Sequence, residues 1–296
     1  MTGRIIVVGS LNLDTTLRVD RLPGPGETVH SESVVHAPGG KGANQAVAAA
    51  LLGGRVRLIG AVGDDDAGRM LTIAAVAAGV DVAGVRRVPV RTGQATIIVD
   101  RDAENVIVVD AGANASVDPT QVPEDLTAAD VVVTGNEVPD AVVIAAAERA
   151  ASVGAMVVHN PSPFRPLPGR MPRPQVLVVN EHEFALCGGR LEPVVVLPPA
   201  LEDAALVVTR GAQGALVFER GGAAEVPAIR VEPVDTSGCG DAFLGAMVER
   251  IAAGCPVVEA VERAMLVGAF AATREGTQSS YPTASELRVF QDSRKG

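Results

Sequence analysis

Tryptophan is absent from the 296 residues, and the other aromatics amount to six Phe and one Tyr. The core must therefore be built from Ala, Val, Leu and Ile, and platforms that stack bases on aromatic rings are disfavoured. Cysteine is scarce as well. Cys187, Cys239 and Cys255 are odd in number and form no CxxC pair, which argues against a disulfide framework and against a zinc cluster. His30, His36, His159 and His182 have no metal-ligand spacing of the HExxH kind. No uncharged apolar run reaches the ~18 residues of a membrane span. The amino end from Met1 to Ser10 passes directly into a strand-like run with no signal-peptide pattern, so a cytoplasmic location is expected. Positive charge is the minority sign: 25 basic against 35 acidic residues leave a net −10. That balance disfavours a broad nucleic-acid or anionic-membrane surface but permits one local positive pocket.

What is present is ordinary for a globular chain, with 47% hydrophobic and 20% charged residues over a length able to bury a substantial core. Short apolar runs rich in β-branched residues occur at Ile5–Val8, Val56–Ile59, Val131–Val133, Met156–Val158, Val176–Val179 and Leu206–Val208. Each is bounded by polar residues, as for strands buried on both faces. Helix-like stretches lie at Gly42–Leu52, Gly68–Ala78, Asp140–Val153, Asp241–Ala253 and Val257–Thr273. Strand followed by helix, repeated, predicts an α/β fold with a mostly parallel sheet flanked by helices on both faces. An α+β arrangement of separate blocks is the alternative. Leu17–Val19 and Thr28–Val35, parted by the turn at Pro23–Gly26, read as antiparallel strands, and Ala95–Val99 with Val106–Val109 as a hairpin. They predict a small β-sheet lid, inserted at about 12–38 and 92–112 of a single domain spanning 1–296.

The segment Asp235-Thr236-Ser237-Gly238-Cys239-Gly240-Asp241 precedes a helical pattern. Small residues there free successive amides at a helix start, which suits phosphate oxygens, and a carboxylate at that positive end is held as the anion. An ordinary capped helix after a Gly-rich loop is the competing interpretation. A second Gly-rich helix start, Gly39-Gly40-Lys41-Gly42-Ala43-Asn44-Gln45, lacks the Ser or Thr of a Walker A loop. It nonetheless carries one of only two lysines, Lys41 and Lys295, among the 25 basic residues. Asn12 and Asp14 lie just beyond the first strand run, Glu137 beyond the run at Val131–Val133, Asn180 and Glu183 beyond Val176–Val179, and Thr209 to Gly214 beyond Leu206–Val208. Any one of these could be a cap or turn. Their recurrence at the same strand end favours a shared crevice, where ligands of parallel sheets bind. Neither a GxGxxG after the first strand, nor a GxSxG elbow, nor an HRD/DFG pair occurs.

The two Gly-rich segments together resemble the paired signatures of the ribokinase-type carbohydrate kinases, and the resemblance extends in order over essentially the whole chain. Gly9 to Asp14, Pro25-Gly26-Glu27-Thr28, Gly39 to Ala49, Glu104-Asn105-Val106 and Ala111-Gly112-Ala113-Asn114 are similar to the ribose-phosphorylating branch. The resemblance implies that Asp241 is the base that deprotonates the sugar's primary hydroxyl as it attacks the γ-phosphate of ATP. Gly238, Cys239 and Gly240 would supply an anion hole, and Asn12, Asp14, Gly39, Gly40, Lys41, Asn44 and Glu137 would hold the sugar. It further implies that Asn180 and Glu183 position phosphate and Mg²⁺ through water, and that Thr209, Gly211, Ala212 and Gly214 contact the nucleotide, with Gly240. Asp235, Ser237, Ala271, Arg274, Gly276 and Ser280 would line a monovalent-cation site for K⁺, mostly through main-chain carbonyls. A homodimer formed through the lid is implied too.

The chain departs from the family pattern at three places. Cys239 stands where Ala is usual, introducing a thiol expected to be oxidation-sensitive. Residues 188–204 are short and interrupted by proline, so a helix is expected to be lost or stunted there. Met265 falls where a polar residue often borders adenine. The expected activity is ribose phosphorylation to ribose 5-phosphate. Kinases for deoxyribose or a nucleoside are the alternatives within the class, and a non-catalytic sugar-binding or regulatory module is the alternative outside it.

Overall fold

The computed structural model describes residues 3–102, 104–191, 195–197 and 204–294. The Val- and Ile-rich runs form strands because β-branched side chains pack well on a pleated surface, whose successive residues divide between two faces. In β1 (Arg4–Val8), Ile5 and Val7 enter the apolar layer on one side and Ile6 and Val8 the layer on the other. Parallel to it run β4 (Arg55–Gly63), β5 (Asp81–Val88), β8 (Val131–Gly135), β9 (Met156–Asn160), β10 (Val176–Asn180) and β11 (Ala205–Thr209). Antiparallel β12 (Ala215–Glu219) and β13 (Gly222–Val226) finish one edge, giving the order β13-β12-β11-β10-β9-β8-β1-β4-β5.

Helices cover both faces of this sheet. On one side, α1 (Lys41–Leu51), α2 (Asp66–Ala77), α5 (Cys239–Ala252) and α6 (Val257–Ala272) bring Val47, Leu71, Leu244 and Val261 into the layer that holds Val7, Leu58 and Val133. On the other, α3 (Asp140–Val153) packs Val142, Val143 and Ala146 with Ile6, Val8 and Val132. Two shorter helices, α4 (Glu181–Leu186) and α7 (Ala284–Asp292), anchor through Phe184 and Leu287. No helix among the described residues is long and apolar enough to cross a membrane.

The second sheet is formed by β2 (Asn12–Val19), β3 (Ser31–Gly39), β6 (Gly93–Val99) and β7 (Asn105–Asp110), in the order β3-β2-β6-β7. β2 is antiparallel to β3 but parallel to β6, so the two expected strand pairs are joined side by side through a parallel seam. Asn12 and Asp14, expected just beyond the first strand run, sit inside β2; its polar alternation hides a strand that begins five residues before the expected start at Leu17 (12 against 17). β5, β12, β13, α4 and α7 are likewise additions to the sequence-based expectation. On the outer strands of this sheet Val35, Ile107 and Val108 are 53, 56 and 62% exposed. Of the short segment 188–204, residues 192–194 and 198–203 lie outside the described residues, as does Lys295; Arg190 and Val196 form an isolated bridge.

Candidate active site

The start of α5 is shaped by its glycines. Gly238 caps the helix at φ +70°, a left-handed conformation, and a Cβ there would lie 2.6 Å from the Tyr281 hydroxyl, which donates to the Gly238 carbonyl at 3.0 Å. Cys239 and Gly240 open the first turn, where amides lack intrahelical acceptors. The Cys239 amide reaches the Thr236 carbonyl at 3.3 Å, while no atom lies within 4 Å of where a Gly240 Cβ would stand. The space in front of Gly240 is open. Asp241 follows in the same turn and is buried.

Asp241 is met by α1. Its Oδ2 accepts from Asn44 Nδ2 and its Oδ1 from Gln45 Nε2, both at 3.0 Å. The helices come this close because Gly245 of α5 lies where a Cβ would be 2.6 Å from Ala48. Gln278 Nε2 donates to Asn44 Oδ1 at 3.0 Å, completing an amide chain onto the carboxylate.

The opposite wall is assembled where the two sheets meet. Gly40, at φ +88°, brings the start of α1 so near Asn12 that a Cβ there would lie 2.7 Å from the Asn12 amide nitrogen, and a side chain at Gly39 would collide with the Asp14 carboxylate. Glu137, just past β8, accepts through Oε2 from the Ser10 hydroxyl and from the main-chain N–H of Lys41 at 3.1 Å. Asn12 Oδ1 accepts from Asn114 Nδ2 at 2.7 Å. Burial foremost, then the charges of Glu137 and Asp241, pushes the Asp14 carboxyl up to about 7 from its ordinary 3.8. The Lys41 ammonium is held above its usual range by Asp241 first, against burial, with Glu137, Glu183 and Asp14 adding to it. Thus Asp14, Glu137, Glu183 and Asp241 all act on the Lys41 ammonium, and Asn44 is bonded to Asp241.

Three further groups of expected site residues take up local structure of their own. Asn180 and Glu183 form a reciprocal capping box on α4: Asn180 Oδ1 accepts from the Glu183 amide at 2.8 Å and Glu183 Oε2 from the Asn180 amide at 3.0 Å. Thr209 ends β11, and Gly211 and Ala212 lie in a tight turn closed by the Arg210 amide on the Gly214 carbonyl at 2.7 Å. Asp235 takes the Ser237 amide at 2.8 Å and the Gly276 amide at 3.0 Å, stitching the segment before α5 to the one after α6. These amides hold its carboxyl below the usual range although burial opposes them. Ala271 and Ser280 are buried beside this junction, whereas the Arg274 guanidinium turns onto the Phe270 ring at 3.5 Å. Among the described residues no group of three His, Cys, Asp or Glu side chains could hold a metal ion.

The Cys239 thiol is pushed up to about 11 by burial, then by Asp235 and Asp241. A raised thiol holds little of the reactive thiolate, which works against the expected oxidation sensitivity. Met265 packs against the apolar core of α5 and α6. Ser10, Gln45, Asn114 and Gln278 carry site geometry without having been singled out for it. Ser10, Gln45 and Asn114 lay inside motifs already recognised; Gln278 gave no local signal.

A model of the pfkB family of carbohydrate kinases matches residues 2–284. The chain belongs to that family. As pfkB-family members go, it is 34% identical to a ribokinase of Schizosaccharomyces pombe, over 96% of each chain. It is equally 34% identical to a deoxyribokinase of Salmonella typhi, over 97% of this chain and 98% of that one. The crystal structure of a ribokinase from Thermotoga maritima superposes with a TM-score of 0.83 at 30% identity, covering 98% of this chain and 99% of the other. Like the pfkB-family kinases it resembles, the protein is a phosphotransferase with an alcohol group as acceptor.

Proposed function

We propose that the protein transfers the γ-phosphate of ATP to the primary hydroxyl of D-ribose, giving ribose 5-phosphate and ADP. The observation that carries this is the double amide contact on Asp241, which ties the carboxylate at the anion-binding start of α5 to the polar wall around Asn44. In the proposed reaction the hydroxyl oxygen attacks the γ-phosphorus, Asp241 takes the hydroxyl proton, and the bond to the β-phosphate bridging oxygen breaks. Amides of Gly238, Cys239 and Gly240 face the charge that develops on the phosphates. Asn12, Asp14, Gly39, Gly40, Lys41, Asn44 and Glu137 hold the sugar, whose hydroxyls match such acceptors and donors. Thr209, Gly211, Ala212 and Gly214 flank the nucleotide.

Mg²⁺ and K⁺ belong to the same proposal. Glu183 Oε1 has no hydrogen-bond partner among the described residues, which fits a hold on Mg²⁺ through water. The junction tied by Asp235, with Ser237, Ala271, Arg274, Gly276 and Ser280, fits a monovalent cation held by main-chain oxygens. Either ion would neutralise phosphate charge. A second copy of the chain covers the exposed Val35, Ile107 and Val108 in this reading.

The test is ADP release measured across pentoses and nucleosides. Ribose is expected to be preferred; a wide preference for a nucleoside removes the ribose assignment and leaves the kinase assignment standing. Deoxyribose is the second reading, favoured by the equal 34% identity to a deoxyribokinase. Activity is expected to rise when K⁺ replaces a bulky organic cation.

A further inference from the structure

Asn114 closes the junction between the two sheets, and its amide orientation is not open to choice. Its Oδ1 lies 2.9 Å from the main-chain N–H of Leu11, a group that can only donate. The end facing Asn12 is therefore the NH₂, which gives one proton to the Leu11 carbonyl at 3.1 Å and the other to Asn12 at 2.7 Å. Asn12 must meet it with Oδ1, so the Asn12 NH₂ is turned the other way. Asn12 is 2% exposed, and its Nδ2 has no hydrogen-bond partner among the described residues. Gly93 leaves the room for this pairing, since a Cβ there would collide with Asn114 Nδ2 and Asn12 Oδ1.

We propose that Asn114 is a positioning residue that locks the Asn12 amide with its NH₂ toward the cleft, making this point of the sugar wall an obligate donor that selects a hydroxyl oxygen through its lone pair. The inference rests on the sugar-binding reading of the cleft. It complements Glu137, which offers the acceptor Oε1, and Asp14.

The isosteric variant Asn114→Asp keeps the acceptor for Leu11 but loses both protons, so Asn12 reverses its amide. For this variant KM for ribose is expected to rise about tenfold or more, as for a polar contact turned repulsive, with KM for ATP little changed. Asn12→Asp retains the bond from Asn114 and serves should Asn114→Asp not fold. A set of ribose analogues with each secondary hydroxyl replaced by fluorine, an acceptor only, or by hydrogen reads the polarity directly. In the wild type one position is expected to tolerate fluorine far better than hydrogen, and in either variant that difference disappears. Equal tolerance at every position in the wild type, or a parallel rise of KM for ribose and ATP in Asn114→Asp, overturns the proposal. Orientation is also read without substrate. The side-chain NH₂ signal of Asn12, identified by its loss in Asn12→Asp, is expected to exchange rapidly with solvent in the wild-type protein. Slow exchange there overturns the inference, whereas failure to phosphorylate any pentose with rapid exchange intact overturns only the sugar reading.

Discussion

The side-chain amide of Asn44 donates to Oδ2 of Asp241 at 3.0 Å, joining the start of α1 to the start of α5 across 197 positions of sequence. Gln45 donates to the other oxygen. The carboxylate is thus aimed by two amides from the start of α1, and neither donor can compete with it as a base. Asp241→Asn replaces one acceptor oxygen by a donor facing those amides and removes the proposed proton acceptor. The expected result is a fall in kcat of roughly 10²–10⁴, the span of a lost general base, with a smaller change in ATP affinity. Steady-state kinetics and nucleotide titration check both; an unchanged kcat means that the base lies elsewhere.

Asp14 sits in the same field but pays for it in stability. Its carboxyl is raised to about 7 in the folded chain, by burial and then by Glu137 and Asp241, against 3.8 ordinarily. Between those values the unfolded chain has released the proton and the folded chain still holds it, so stability falls as pH rises through that window and stays low above it. Asp14→Asn removes the effect. The unliganded variant is expected to melt above the wild type at pH 8, with the gap closing as pH is lowered toward 4, while sugar affinity is lost. Calorimetry over a pH series tests this, and a gap independent of pH rejects it.

The parallel strands were legible because strands buried on both faces read as unbroken apolar runs, as in Val131–Val133 and Val176–Val179. The end of β2 at Leu17–Val19 was legible too, but its start was not, since Asn12, Asp14, Thr15 and Thr16 are stabilised by pairing on two sides rather than by apolar character. α7 begins with a capping box between Thr283 and Glu286 that stands plainly in the sequence, but the helix is only nine residues long and buries Leu287 alone. In the cleft, Asp241 and the run from Gly39 to Asn44 stood out through their glycines. Gln278 did not, because an amide that reaches Asn44 from 234 residues away is a product of tertiary packing alone. Asn180 and Glu183 carry both meanings at once: they cap α4, and Glu183 acts on Lys41.

Cys239 offers a separate test of the turn before Asp241. Its sulfur lies 3.9 Å from the Asp235 carbonyl, and burial with two nearby carboxylates raises the thiol to about 11. Little thiolate exists near neutral pH, so alkylation is expected to be slow. Cys255, whose sulfur lies 2.8 Å from the Arg250 guanidinium, is expected to react first. Peptide mass spectrometry after timed iodoacetamide exposure gives the order, and early labelling of Cys239 contradicts it. Cys239→Ala leaves the main chain of the turn in place and is expected to retain kcat close to the wild type.

His159, one residue before the end of β9, has no exposed surface. Its Nδ1 pairs with the Thr134 hydroxyl at 2.8 Å, and its Nε2 has no partner. Burial, then the Arg165 guanidinium, lowers its pKa to about 4 from 6.5, so the ring is neutral in the folded chain. As pH falls below 6.5 the unfolded chain takes up a proton that the folded chain refuses until about 4. The stability contributed by the neutral ring is therefore complete above 6.5 and is lost between 6.5 and 4. From pH 7.5 to 5 this loss amounts to about 2 kcal/mol. His159→Gln keeps a partner for Thr134 but cannot titrate. Urea unfolding at the two pH values is expected to show the wild type losing about 2 kcal/mol more than the variant. Carboxylates common to both proteins, such as Asp130 with its pKa near 2 beside Arg4, cancel in that difference. Equal losses in the two proteins mean that the folded chain admits the proton on His159 without opening.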